Sequence, residues 1–261
     1  MKALFRTLLF GGLLGEIALV SLTLAGYNPA TWIYLLILGF VILALGILFG
    51  SLLLSTRKKG SWLPAIESTA TRFGVPAKVL SYWVSEVLML RSLFSRAPSG
   101  ETYSYSRPLR IIVWAISLLA IVEITVVHLL FSSTTWGVIL AVLSVYGLLV
   151  LLGFYSSLRT QPHSVSAEGI MLRSGRRFQL FLPWEHIARA GAQRPGDGPN
   201  IEVSEEGFCR LPVLNQVNTV IHLSEPATAR DLFLGEVTVN AVEFCCDDRE
   251  AFLERIAAEA A

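Results

Sequence analysis

Four long apolar runs organise this chain, roughly Leu4–Gly26, Ala30–Leu54, Arg110–Phe131 and Thr134–Leu158. Each is close to the ~20 residues that a helix needs to cross the hydrocarbon core of a bilayer. The expected architecture is a membrane α-helical bundle of four transmembrane helices over residues 1–159, followed by a polar C-terminal domain over residues 160–261. Composition agrees, with 53% apolar and only 16% charged residues and a mean hydropathy of +0.59.

The net charge of +1 hides a segregation. Residues 1–159 hold twelve Lys/Arg against five Glu, a net of +7, and residues 160–261 hold nine Arg against fifteen Asp/Glu, a net of −6. The basic residues also set an orientation. Lys2 and Arg6 precede the first run, and the central loop 55–109 with its flanks carries Arg57, Lys58, Lys59, Arg72, Lys78, Arg91, Arg96, Arg107 and Arg110. The short connections at Tyr27-Asn28-Pro29 and Ser132-Ser133 carry no charge. The positive-inside rule then puts both termini and the central loop in the cytoplasm of a multi-pass cell-membrane protein. The first run reads as a retained helix, not a cleaved signal. It is long, Glu16 interrupts it, and no A-x-A site follows.

The central loop is too long to be a simple connection. Lys59-Gly-Ser-Trp-Leu-Pro64 reads as irregular, and Pro76–Phe94 reads as a helix with its proline in the first turn. Lys78, Ser81, Ser85 and Ser92 gather on one face of that helix, and Leu80, Trp83, Val84, Val87, Leu90 and Phe94 on the other. Two readings stay open: a helix packed on the bundle or the soluble domain, and one lying in the inner membrane interface. The opposite charges of the loop (+6 over 54–110) and the C-terminal part also predict that the two dock.

After Gln161-Pro162-His163 the pattern changes to alternation. Seven short strands are expected, at Ser164–Ala167, Ile170–Arg173, Arg177–Leu182, Ile187–Ala192, Asn200–Ser204, Val217–Ser224 and Val237–Cys246, with a hairpin tip at Gly196-Asp-Gly-Pro199. A helix closes the chain. Asp247 is its expected N-cap, Glu250 completes a capping box, and Phe252, Leu253, Ile256 and Ala257 form its apolar stripe.

Seven strands and a closing helix resemble the pleckstrin-homology-like fold of bacterial membrane proteins. Gly169-Ile-Met-Leu-Arg-Ser-Gly175 and Leu182-Pro-Trp-Glu-His-Ile187 carry most of that resemblance. From Tyr103 to the C-terminus the chain also resembles a group of uncharacterised actinobacterial four-helix membrane proteins, through Tyr103-Ser-Tyr-Ser-Arg107, Val122-Glu-Ile-Thr-Val-Val-His128 and Pro162-His163. The resemblance implies a fold and no activity.

Two groups of residues are candidates for chemistry. Glu16 and Glu123 lie about twelve and thirteen residues into the first and third runs, so they sit at similar depth, with Tyr146 at that depth in the fourth. His128 is five residues further out than Glu123, about 7.5 Å at 1.5 Å per residue. Carboxylates inside a bilayer are expensive, and they mark either an ion or proton site or polar packing between helices. Packing is the favoured reading for this intramembrane cluster. The second group is the basic hairpin Arg173, Arg176 and Arg177, which suits anionic head groups. The acidic charge of its own domain argues instead for a solvated or loop-facing turn.

The remaining motifs are silent. No Walker loop, G-x-S-x-G, H-E-x-x-H or dinucleotide fingerprint occurs. No cofactor and no metal are expected. Cys209, Cys245 and Cys246 fall in one domain with no histidine pattern for zinc, and read as reduced, partly buried thiols. An acidic domain disfavours nucleic acid. Two functions are left. One is a non-enzymatic, membrane-anchored binding or regulatory module that recruits a cytoplasmic or membrane protein partner. The other is a small transporter or ion-coupled protein using the Glu16/Glu123/Tyr146/His128 layer.

Overall fold

The computed structural model describes residues 2–27, 31–131, 135–193 and 201–260, with only some side chains over residues 2–38. The expected hairpin tips at 28, 132–133 and 196–199 lie outside the described residues. The chain divides into two compact units, residues 1–83 and 84–261.

The first unit is helical. Helices α1 (Lys2–Leu24) and α2 (Thr31–Lys59) pack closely where glycine permits it. A Cβ on Gly12 would come within 2.7 Å of Val41 Cγ2, and one on Gly15 within 2.9 Å of Ile37 Cδ1. Gly11 faces open space. Helix α2 continues five residues past the apolar run and ends on Arg57, Lys58 and Lys59, cations favoured at a helix C-terminus. Of the segment expected to be irregular, Gly60 and Ser61 are, while Trp62–Pro64 opens α3 (Trp62–Phe73). Pro64 misleads there. A proline in the first turn removes an N–H that has no helical partner. Gly74, in the left-handed conformation, stops α3 by donating to the Ala70 carbonyl at 2.7 Å.

Helix α4 (Ala77–Ser92) continues from one unit into the next. Its faces differ from the expected division. Leu80, Ser81, Val84, Leu88 and Ser92 are buried, whereas Tyr82, Trp83, Val87 and, beyond the helix end, Phe94 are exposed. Ser92 faces inward because it is small and returns its hydroxyl to its own helix, to the Leu88 carbonyl at 2.8 Å.

In the second unit α5 (Arg107–Phe131) and α6 (Thr135–Arg159) pack as a pair. Among the described residues three helices are long and apolar enough to cross a membrane: Gly39–Lys59, Arg107–Phe131 and Gly137–Thr160. Phe10–Thr23 is a shorter apolar helix. Ile111, Trp114, Leu118, Leu129 and Leu143 stand exposed on α5 and α6, a surface suited to lipid.

The rest is a large mixed β-sheet domain. Its strands are β1 (Glu101–Tyr103), β2 (His163–Ser166), β3 (Gly169–Ser174), β4 (Phe178–Pro183), β5 (Ile187–Ala192), β6 (Glu202–Val203), β7 (Phe208–Leu211), β8 (Thr219–Asp231) and β9 (Gly235–Phe244). They run in the order β1-β2-β3-β4-β8-β9-β7-β6, with β5 also on β8. All pairs are antiparallel except β7 with β9. Two strands were not expected, β7 and β1, and β1 recruits the end of the central loop into the sheet through Glu101↔Val165 and Tyr103↔His163. Helix α7 (Arg249–Ala260) inserts Phe252 and Ile256 into a core of Ile170, Leu172, Phe178, Leu180, Val242 and Phe244.

The cap of α7 is Asp248, not Asp247. The Asp248 carboxylate accepts the Ala251 N–H at 3.3 Å, three residues on, as an N-cap does. Asp247 has another task, described next.

Candidate functional site

Three places collect polar chemistry: the junction between the sheet and α5/α6, the β3–β4 turn, and the faces of α5 and α6.

The junction is built from the two sequence pieces Tyr103–Arg107 and Pro162-His163. Tyr105 and His163 are both buried and stack with ring centroids 4.5 Å apart. The Tyr105 hydroxyl donates to the Gln161 carbonyl and accepts the Gly175 N–H, each at 2.8 Å. Burial pushes its pKa up. His163 Nδ1 accepts the Arg173 N–H at 3.2 Å, so the ring proton sits on Nε2, which donates to the Cys245 carbonyl at 3.1 Å. Burial holds its pKa down at about 4, so the ring is neutral at pH 7. Asp247 closes the junction. Its carboxylate accepts the Ser104 hydroxyl at 2.6 Å and the Arg107 N–H at 3.0 Å. A carboxylate from the end of the sheet thus caps the first turn of α5, where the helix dipole favours negative charge. The side chains of Ser104, Tyr105, His163 and Asp247 all have partners, and the geometry is that of a weld between domain and helices.

The β3–β4 turn presents the three candidate arginines, all half-buried and none freely solvated. Arg177 is structural: it pairs with the fully buried Asp231 at 2.9 Å and lies over the Phe233 ring. Arg173 donates to the Pro162 carbonyl at 3.0 Å and the Ser164 hydroxyl at 2.9 Å. Arg176 reaches the end of α4, donating to the Ser92 hydroxyl at 2.9 Å and the Ser95 hydroxyl at 3.0 Å. The turn itself is pressed on α6. Gly175 has φ 54°, and a Cβ there would meet Ser157 Oγ at 2.8 Å.

On α5 and α6 the candidate residues do not assemble. Glu123 accepts the Ser144 hydroxyl at 3.3 Å and lines an open groove of about 450 Å³ with Ile116, Ala120, Leu140 and Gly147. The Tyr146 hydroxyl donates to Glu86 of α4. His128 is exposed. No hydrogen bond joins Glu123, His128 and Tyr146 among the described residues. Glu16 lies on α1, and its side chain is outside the described residues. Sequence reasoning missed Glu86, because a lone Glu in a loop helix carries no depth signal.

A fourth feature was invisible in the sequence. Strand β8 pairs with β5 over Thr219–Leu223 and with β4 over Ala229–Asp231, so the two neighbours diverge between them. The resulting fork is a cleft of about 420 Å³ lined by Met171, Phe181, Pro183, His186, Pro226 and Thr228.

The thiols of Cys209, Cys245 and Cys246 are buried, and burial raises their pKa values to about 12, 11 and 12, which keeps them protonated and unreactive. Among the described residues no group of three or more His, Cys, Asp or Glu is placed to hold a metal ion. No protein-family model, curated protein or solved structure matches the chain.

Proposed function

We propose that this chain is a multi-pass membrane protein that presents a pleckstrin-homology-like domain to the cytoplasm as a rigid, non-enzymatic binding platform for a protein partner. The observation that carries this reading is the weld at Tyr105, His163 and Asp247. A domain tied to the ends of α5 and α6 by capped and stacked groups is held at a set place, as an adaptor requires. The fork on β8 supplies an apolar cleft with unpaired strand backbone beside it, a form that suits an extended peptide. Helix α7 over the core and the β2-β3-β4 meander support the pleckstrin-homology-like assignment, while the parallel β7·β9 pair departs from a purely antiparallel sheet.

The proposed topology has four spans, α1 included, with both termini inside. Membrane-impermeant thiol reagents on intact cells test it, using single cysteines in a background without the three native ones. Label at position 28 or 133 and none at 59 is expected, and label at 59 in sealed cells overturns the topology. The platform reading is tested by a photo-crosslinking residue at Phe181, with the same residue at exposed Leu129 as control. A defined protein adduct at 181 alone is expected. Equal adducts at both positions, or none, count against the reading.

The ion-coupled alternative draws on one observation, the Glu123 carboxylate in the α5/α6 groove. Flux measured in vesicles, abolished by Glu123→Gln with the fold intact, would favour it over the platform.

A further inference from the structure

Arg176 and Arg91 lie at the same end of α4, and neither is paired with a carboxylate among the described residues. Arg176 reaches Ser92 and Ser95, Arg91 immediately precedes Ser92 and accepts the Ser95 hydroxyl on its carbonyl at 3.1 Å, and both burial and the charge of Arg91 disfavour the Arg176 cation. Among the described residues no Asp or Glu lies within 4 Å of Arg91, Arg96, Arg159, Arg173 or Arg176. The contrast with the rest of the domain is sharp: Arg177, Arg210, Arg230 and Arg255 all have carboxylate partners. Two like charges at one end of a helix, one half-buried and one exposed, with no carboxylate partner beside a domain of net charge −6, call for an anion from outside.

The surroundings say what kind. Arg176 donates only to neutral hydroxyls through Nε and one terminal nitrogen, which leaves further N–H donors for a ligand. Phe94, two residues past the end of α4, is 91% exposed, and Val87 and Trp83 are exposed on the same helix. Helix α4 passes directly against α6 here. A Cβ on Gly153 would come within 3.0 Å of the Met89 carbonyl, and the Ser156 hydroxyl donates to the Ser92 carbonyl at 2.6 Å. Ser156 lies in the last turn of an apolar helix long enough to span. Cations and an exposed aromatic at the end of a span belong to the headgroup layer, where phosphate and acyl chain meet.

We propose that the end of α4 and the β3–β4 turn form a site for one anionic phospholipid: Arg176 and Arg91 take its phosphate, the Ser95 hydroxyl sits beside it, and Phe94 and Val87 lie along its glycerol and first acyl carbons. Guanidinium forks match phosphate oxygens in pairs, which favours arginine here. A net negative headgroup satisfies the two cations, whereas a choline headgroup brings its own cation to the same place. The site rests on the reading of α5 and α6 as membrane spans.

The test uses the full chain purified in a mild detergent, with phosphatidylglycerol or phosphatidylcholine titrated in and bound lipid counted by native mass spectrometry. One phosphatidylglycerol retained in preference to phosphatidylcholine is expected. Arg91→Gln and Arg176→Gln should each weaken that retention about fivefold, as the loss of one basic residue at a headgroup does. Phosphatidylcholine binding should stay as it is. Arg176→Gln also removes turn contacts, so Arg91→Gln, at an exposed position whose guanidinium holds no hydrogen bond among the described residues, decides alone if the first variant misfolds. No preference in the wild type, or unchanged retention in Arg91→Gln, overturns the site. Displacement of the lipid by excess inorganic phosphate at matched ionic strength would make it a free-anion site and overturns the lipid assignment. Alkaline carbonate extraction keeps the two failures apart: release from membranes means the spanning reading has failed, while a retained protein without lipid preference means that only the site has.

Discussion

The junction and the faces of α5 and α6 treat polar groups in opposite ways. At the junction Tyr105, His163, Arg173 and Asp247 are satisfied by partners up to 143 residues apart in sequence, and the two aromatic rings are almost fully buried. On the helix faces Glu123 has one long bond to Ser144, His128 is exposed, and Tyr146 has turned to Glu86. The first arrangement holds a single geometry. The second leaves side chains free to meet lipid, a ligand or another helix. The lesson is that the polar residues most suspect in the sequence are the least organised in the fold, and those that organise it looked ordinary.

The largest expected effect breaks the organised side. Asp231→Ala strips the partner from Arg177 and the acceptor from the Phe233 and Leu234 N–H groups, which Asp231 Oδ1 takes at 2.7 and 2.9 Å. Removing one member of a buried pair costs about 3–5 kcal/mol. Hydrogen exchange of the slowest β-domain amides should report it. The neighbouring Arg176→Gln, made beside neutral hydroxyls, should cost under about 1 kcal/mol. Equal losses from the two would erase the distinction between these adjacent arginines.

His163 comes next, and its sign is set by burial. The folded pKa of about 4 lies below the ordinary 6.5, so above pH 6.5 the ring is neutral in both states and its titration costs nothing. As pH falls from 6.5 towards 4 the unfolded chain takes up a proton that the folded chain refuses, and stability is lost, by about 3 kcal/mol in all. Tyr105 stacks on the ring, and the charge of Arg173 adds to the resistance. The slope of stability against pH in this window should drop by one proton in His163→Gln. An unchanged slope would place the titration elsewhere.

Tyr105→Phe sharpens the same side more gently. The ring stays, but the Gly175 N–H loses its acceptor and the Gln161 carbonyl its donor. A buried group left unmatched costs about 1–3 kcal/mol. The loss should appear as faster exchange at the β3–β4 turn. Exchange as slow as in the wild type would mean that the stack alone holds the weld.

The division between what could be read and what could not follows from the range of the signals. Hydropathy is local, so the apolar runs at 110–131 and 134–158 became α5 and α6 with ends off by a few residues. Alternation is local too, and β3, β4 and β5 fell where expected. β1 is three residues long and exists because Tyr103 meets His163 sixty residues later, which no local pattern announces. Asp247 and Asp248 are equally good caps by residue type, and only the fold shows that the first serves α5 and the second α7. The candidate arginines were found as a group because they are adjacent. Their separate roles depend on Asp231, Ser92 and Ser164, at distances the sequence does not encode.

The smallest expected effect tests the disorganised side. Glu123→Gln keeps an oxygen for the Ser144 hydroxyl and nearly the same volume, in an open groove with no other polar partner among the described side chains. A substitution of this kind usually changes stability by no more than about 0.5 kcal/mol. The variant should insert, and should unfold at the wild-type temperature in the same bilayer. A loss above about 2 kcal/mol would mean that something in the membrane seats the carboxyl and uses its proton, because an amide differs from a protonated acid mainly in what it can donate and accept. In that case the α5/α6 face would belong with the junction as an organised site, and the contrast between the two regions would fall.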